Sequence, residues 1–308
     1  MIETRDLRVD YGDVTAVRGL NLSIPKGEIF GLIGPNGAGK TSTIRVLATL
    51  QEPTYGDVFV GGVDAALNPT GVHELLGYMP DFAPIYDNLK VWEFLDLFAA
   101  AYALPRATRK QRVDESIQLA NLEGKRDTLC EGLSRGMRQR LVLAKTLLHE
   151  PKVLLLDEPA SGLDPMARIE LRRMLIKLVE TGKTVLVSSH ILTELADFCT
   201  SMGIMEKGKM VVQGKISEII AQMSGHKSLV VEVLERVDEA HALIRNFNGV
   251  RACSVEKREL RADFDGDEAA VAELLRALVQ QGIPVIAFHE EKMDVEDVFL
   301  KVGAKEVS

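Results

Sequence analysis

The chain has 308 residues, 37 Lys and Arg against 45 Asp and Glu for a net charge of −8, 46% hydrophobic residues and 27% charged ones. This is the balance of a soluble globular protein with one large domain and a small one, or two medium ones, and it lacks the basic excess by which a nucleic-acid binder shows itself. Cys130, Cys199 and Cys253 are odd in number and without C-x-x-C spacing, which argues against a disulfide framework or a zinc site and fits a reducing cytoplasm.

At the amino end, Met1-Ile2-Glu3-Thr4-Arg5-Asp6 carries charges where a signal peptide needs an apolar core. Strands are predicted over residues 3–9 and 17–24. A third strand, Ile29-Phe30-Gly31-Leu32-Ile33, runs into Gly34-Pro35-Asn36-Gly37-Ala38-Gly39-Lys40-Thr41. The spacing G-x-x-x-x-G-K-[ST] at a strand-to-helix junction is a phosphate cradle: backbone N–H groups curl around the anion and the new helix points its positive end at it. The candidate nucleotide contacts are Gly34, Asn36, Gly37, Ala38, Gly39, Lys40, Thr41 and Ser42. Lys40 is expected to reach the β and γ phosphates, and the Thr41 hydroxyl to hold Mg²⁺. A helix is expected over 40–50, and Pro53-Thr54-Tyr55-Gly56-Asp57 reads as a turn.

Residues 89–102 place aromatic and aliphatic side chains at helical intervals until Pro105, and the pattern stays mostly helical to 150. A helical insertion between strands, about 84–150, follows, and its longest apolar stretch, 94–104, is too short to cross a bilayer. Inside it, Leu133-Ser134-Arg135-Gly136-Met137-Arg138-Gln139-Arg140 opens a helix capped by Ser134, with Met137, Leu141, Ala144 and Leu148 as its buried stripe. The amino end of that helix suits an anion, although a Ser-capped basic helix also serves as plain structure.

Val153-Leu154-Leu155-Leu156 reads as a parallel strand buried on both faces, with Asp157 and Glu158 at its carboxyl end, where open α/β sheets bind ligands. Asp157 is expected to hold Mg²⁺ and Glu158 to polarise the attacking water, with Pro159 biasing Glu158 towards an extended backbone. Solvated strand-end carboxylates without a catalytic role are the bland alternative. Leu171, Leu175 and Leu178 mark a helix stopped at Gly182, and Thr184-Val185-Leu186-Val187 restarts a strand, so the main body is α/β with a right-handed βαβ crossover.

A short helix over 216–223 and a linker at Ser224-Gly225-His226 separate a domain of residues 1–222 from one of residues 227–308. The second reads as strand 228–234, helix 238–247, strands 251–256 and 259–264, helix 268–281 and strand 284–289, the α+β ferredoxin-like βαββαβ pattern. A last helix is expected from Asp294, with Val295, Val298 and Phe299 on one face. This tail holds no nucleotide motif, and packing or regulation is its default role.

Taken in order, the phosphate loop, the string at 133–140 and Leu155-Leu156-Asp157-Glu158-Pro159 resemble the motifs of ATP-binding cassette (ABC) ATPases over the first ~220 residues. The resemblance implies the P-loop NTPase fold of that family, ATP and Mg²⁺ as cofactors, and ATP hydrolysis. Tyr11 resembles the aromatic that stacks on adenine, Ser134 and Gly136 the surviving signature residues, Ser161-Gly162-Leu163-Asp164 the D-loop, and His190 the switch histidine that contacts the γ phosphate. Taken singly, Tyr11 also reads as a surface turn residue, Asp164 as a helix cap before Pro165 and His190 as a strand-end histidine.

Two departures from the family pattern stand out. Asp81 follows the short strand Leu76-Gly77-Tyr78-Met79-Pro80 where the family usually has Gln; it is shorter and charged, and still able to accept a water proton or approach Mg²⁺. The usual Leu-Ser-Gly-Gly-Gln is Leu133-Ser134-Arg135-Gly136-Met137, with Arg135 either adding charge near a facing phosphate or obstructing it, and Met137 expected to pack.

The resemblance also implies a head-to-tail pair, of identical or related chains, gripping ATP between Lys40 and Thr41 of one and Ser134 and Gly136 of the other. It implies a separately encoded transmembrane permease docked around Asp81 and the helical insertion, with the chain peripheral on the cytoplasmic face of the cell membrane. The ending Val295-Glu296-Asp297-Val298-Phe299-Leu300 looks like that of export-type ATPases. The alternatives are a soluble ABC ATPase acting on nucleic acid or ribosomes, and a non-hydrolysing ATP clamp. One phosphate loop, no sustained heptads and the acidic balance weigh against the first, and no nucleic-acid partner is expected.

Overall fold

In the computed structural model of the chain, which describes residues 1–196, 198–223 and 227–291, two units divide the polypeptide, Met1–Ile216 and Ser217–Ser308. The first holds two sheets. Strands β1 (Ile2–Tyr11), β2 (Val14–Ile24), β4 (Tyr55–Val60) and β5 (Val63–Asp64) form an antiparallel sheet in the order β2-β1-β4-β5. Strands β3 (Ile29–Ile33), β6 (Leu76–Met79), β7 (Val153–Leu156), β8 (Thr184–Ser189), β9 (Ser201–Glu206) and β10 (Lys209–Lys215) form the second, ordered β10-β9-β3-β8-β7-β6. All of its pairings are parallel except that of the edge strand β10.

Every residue of β3, β7 and β8 is buried, which is why they read as largely apolar runs, with Thr184, Ser188 and Ser189 as the polar exceptions in β8. Helix α1 (Lys40–Leu47) buries Ile44, Val46 and Leu47 in one cluster with Val17, Leu20 and Val58 of the antiparallel sheet and Leu32, Leu155 and Leu186 of the parallel one. The helix that leaves the phosphate loop is thereby fixed to both sheets. Between β5 and β6 lies α2 (Pro69–Leu75), and between β6 and β7 the expected insertion holds α3 (Val91–Ala101), α4 (Arg106–Leu119) and α5 (Arg135–Leu147). Helix α6 (Pro165–Glu180) joins β7 to β8, buries Leu171, Leu175 and Leu178, and ends just before Gly182, whose φ is +86°. Helix α7 (Leu192–Ala196) follows β8. No helix among the described residues is long and apolar enough to cross a membrane.

The parallel register places the site. Ile33 pairs with Ser189 and Leu156 with Val187. The phosphate loop, the acidic pair at 157–158 and His190 therefore all leave the same carboxyl edge of the sheet, the place where such sheets bind ligands.

The second unit begins within α8 (Ile216–Met223) and continues through β11 (Lys227–Val233), α9 (Val237–Arg245), β12 (Val250–Glu256), β13 (Glu259–Phe264), α10 (Glu268–Gln280) and β14 (Val285–Glu291). The sheet order β12-β13-β11-β14, antiparallel throughout, is the expected ferredoxin-like arrangement. Leu229, Val231, Leu260 and Phe264 pack on Ala240 and Ile244 of α9 and Leu274 and Leu278 of α10. The linker expected at Ser224-Gly225-His226 and the helix expected from Asp294 lie outside the described residues.

One local expectation is overturned in the antiparallel sheet. The turn at 53–57 gives way at Tyr55 to β4, because Tyr55 and Asp57 pair with Arg8 and Arg5 of β1. Gly56, with a φ of +95°, permits this: a Cβ there would lie 2.5 Å from the Asp6 carbonyl oxygen.

Candidate functional site

The phosphate loop is tied to the sheet by the Gly34 amide, which donates to the Ser189 carbonyl at 3.3 Å. A Cβ on Gly34 would sit 2.3 Å from the Met205 carbonyl oxygen, and one on Gly39, whose φ is +103°, 2.5 Å from that of Ala16. Glycine is thus required at both places for the loop to close over α1. The loop borders a cavity of about 660 Å³ lined by Asn36, Gly37, Ala38, Gly39, Lys40, Thr41 and Ser42, with Asp81, Glu158, Ser161 and His190 across from them and Val14, Thr15, Ala16, Arg18 and Lys207 completing the wall. That size is within the range of small-molecule sites.

Lys40 is buried. Its Nζ donates to the carbonyl oxygens of Gly34 at 2.7 Å and Pro35 at 3.3 Å, and lies 3.4 Å from Glu158 Oε1. The other Glu158 oxygen is 2.8 Å from His190 Nδ1. Because a carboxylate only accepts, Nδ1 carries the proton there. One carboxylate therefore stands between the lysine of the phosphate loop and the histidine from the end of β8.

Pro159 does not hold Glu158 extended. The φ of Glu158 is +48°, in the left-handed region, which is strained for a residue with a side chain. Two hydrogen bonds outweigh the preference set by Pro159: the Glu158 amide donates to Ser188 Oγ on the neighbouring strand at 2.9 Å, and its carbonyl accepts from the Ser161 amide at 3.1 Å, closing a turn. Ser188 Oγ in turn donates to Asp157 Oδ1 at 2.6 Å, holding a carboxylate that is 2% exposed.

Asp81 lies at the cavity wall. Partial burial, followed by the charges of Asp157 and Glu158, pushes its carboxyl above the usual aspartate range, while Arg135 and His190 pull the other way. Among the described residues no group of three or more His, Cys, Asp or Glu is placed to hold a metal ion. A Mg²⁺ ion fits nonetheless, since this ion takes one or two protein oxygens and fills its shell with phosphate oxygens and water. Thr41 on the wall and the buried, Ser188-oriented Asp157 are of the right donor type.

Ser134, Gly136 and Asp164 are not brought to this cavity. Ser134 caps α5, its Oγ accepting from the Met137 amide at 3.4 Å, and Asp164 caps α6 through the Ala167 amide at 3.0 Å. Tyr11 is not on the wall either; its hydroxyl bonds Ser42 Oγ at 3.3 Å and Gln51 Oε1. Arg135 folds onto its own chain, Nη2 donating to the Ser161 carbonyl at 2.9 Å. Sequence reasoning named Ser161 only as the start of the D-loop resemblance and passed over Ser188, Arg18 and Lys207. The last lies in the turn before Gly208, and the Gly208 amide donates to the Ala38 carbonyl at 3.0 Å while its own carbonyl accepts from the Arg18 amide at 2.8 Å. Turn composition at Lys207-Gly208 was the available signal for that contact, whereas Arg18 carries no motif.

Residues 17–161 match the family model described as ABC transporter, and residues 214–302 the one described as ATP-binding protein DrrA1-3-like, C-terminal domain. The Nod factor export ATP-binding protein I of Ralstonia nicotianae is 32% identical over all of this chain and 95% of its own length. The linearmycin resistance ATP-binding protein LnrL of Bacillus subtilis is 29% identical over 99% of each. Among solved structures, the dimeric structure of a bacterial ABC transporter cassette, MJ0796, superposes with a TM-score of 0.63 at 26% identity over 70% of this chain and 98% of that one.

Proposed function

This chain belongs to the ATP-binding proteins of ABC transporters, which hydrolyse ATP to drive transport, and we propose that it powers export through a separate membrane permease by closing on ATP against a second cassette. The observation that carries the reading is the bridge of Glu158 between Lys40 and His190 on the wall of the phosphate-loop cavity. In this reading Gly34 to Ser42 cradle the phosphates, and Lys40 exchanges the carbonyls of Gly34 and Pro35 for phosphate oxygens. Glu158 accepts a proton from the attacking water, oriented through its bond to His190, and His190, on the same cavity wall, is proposed to contact the γ phosphate. Mg²⁺, when bound, offsets the phosphate charge; Thr41 and Asp157, with Asp81 beside them, are the residues proposed to hold it. Tyr11 is proposed to stack on adenine.

Ser134, Gly136 and Asp164, which do not line the chain's own cavity, are proposed to meet the nucleotide of the second copy. The permease is proposed to dock on the insertion beside Asp81, where Phe82 is 85% exposed and Tyr86 and Leu97 are exposed with it. Such docking puts the chain on the cytoplasmic face of the membrane. Export is supported by the relatives, one of them an export protein and one a resistance protein by name. The test is Glu158→Gln: nucleotide binding is expected to persist, phosphate release to fall by at least about a hundredfold, and a dimer to accumulate in gel filtration with MgATP. Retained turnover removes Glu158 from the chemistry, and a monomer at all concentrations removes the closing pair.

A further inference from the structure

Arg135 stands where the family pattern has glycine, and the structure gives it a contact within the chain. Its Nη2 donates to the Ser161 carbonyl at 2.9 Å. The guanidinium lies against Gly162, whose φ is +65°; a Cβ there would come within 2.3 Å of Arg135 Cζ. One turn further along α5, Gln139 Nε2 donates to the Pro159 carbonyl at 2.9 Å. Positions 135 and 139 are i and i+4, so one face of α5 grips two carbonyls of the loop that follows Glu158. The loop passes the contact inward, because the Ser161 amide donates to the Glu158 carbonyl at 3.1 Å.

We propose that Arg135 is a positioning residue for ATP hydrolysis: it clamps the Ser161-Gly162 segment to the start of α5 and so holds Glu158 in the strained backbone that aims its carboxylate between Lys40 and His190. Arg135 does not itself line the cavity wall. It acts through Ser161, which does. Glu158 at a φ of +48° relaxes towards commoner backbone once the loop is released, and a displacement of about 1 Å at a reacting group is worth up to about a hundredfold in rate. The arrangement also joins the start of α5 to the catalytic carboxylate within one chain, so that a force on α5 reaches Glu158.

This inference rests on the ATPase reading, and two readouts separate its failure from that one. Steady-state ATPase assays compare the wild type with Arg135→Ala and Arg135→Lys. Arg135→Ala is expected to lower kcat about tenfold or more while KM for ATP stays within about twofold. Arg135→Lys, which keeps a donor for Ser161 but loses the flat face against Gly162, is expected to recover part of kcat. Hydrogen exchange on the nucleotide-free chains is expected to speed up at the amides of 161–163 in Arg135→Ala. Unchanged kcat, a rise confined to KM, or unaltered exchange in that loop overturns the clamp. A wild type without turnover overturns the ATPase reading, and the exchange result then decides the clamp alone.

Discussion

Ser188 holds the acidic end of β7 from two sides, donating to Asp157 Oδ1 and accepting from the Glu158 amide. With Asp157 almost wholly buried, a donor lost there is not fully replaced by water. Ser188→Ala is expected to cost about 1–3 kcal/mol of stability and to lower turnover with it, with Ser188→Thr recovering part of both; urea unfolding run beside an ATPase assay checks this. Equal midpoints and equal rates for the alanine variant would mean the hydroxyl is idle. The phosphate loop and the Asp157-Glu158 pair were legible in the sequence because each is a local string whose chemistry depends on spacing. Ser188 was not, because its partners stand about thirty residues away and meet it only across the sheet. The Glu158 backbone departs from its local signal for the same reason: Pro159 speaks locally for an extended chain, and the bond to the distant Ser188, with a turn closed by the Ser161 amide, overrules it.

At the scale of elements, the helical insertion meets the parallel sheet at His149, just beyond α5. Its ring packs at a tilt against Tyr102 of the α3 end, 4.3 Å between centroids, and Nε2 bonds the carbonyl of Leu76 at the start of β6 at 2.9 Å. Among the described residues Nδ1 is buried without a partner. Burial holds this imidazole below its ordinary value near 6.5; the Leu76 bond opposes the shift and the charge of Lys183 adds to it. A proton is therefore taken up by the unfolded chain before the folded one. The contribution to stability is fully present above pH 6.5 and is lost as the pH falls below it. His149→Gln, which keeps a donor for Leu76 and cannot titrate, is expected to flatten the fall in stability between pH 7 and 5.5, as read by denaturant midpoints; an unchanged slope would assign that fall to other groups. Elements differ in legibility as residues do. Strands β3, β7 and β8 announce themselves because both faces are buried, whereas β10 is a polar edge with every second residue exposed, and β4 starts inside a string of turn residues.

At the scale of the molecule, Lys40 and Ser134 do not share a cavity, although both belong to the ABC resemblance. If ATP is gripped by both, they must come from different copies, which is a statement about symmetry and about which mixtures of damaged chains work. A pair formed from a Lys40→Ala chain and a Ser134→Arg chain has one site with both defects and one with neither. Each variant alone is expected to be inactive, since every site in its pair carries one defect. Mixed in equal amounts they are expected to recover up to about a quarter of wild-type turnover, because random exchange makes about half of the pairs mixed and each of those has one sound site in two. Thermal melts on each variant confirm that Ser134→Arg, which also removes the cap of α5, is still folded. A mixture no more active than its parts would leave the signature helix without a role at the neighbouring phosphate loop.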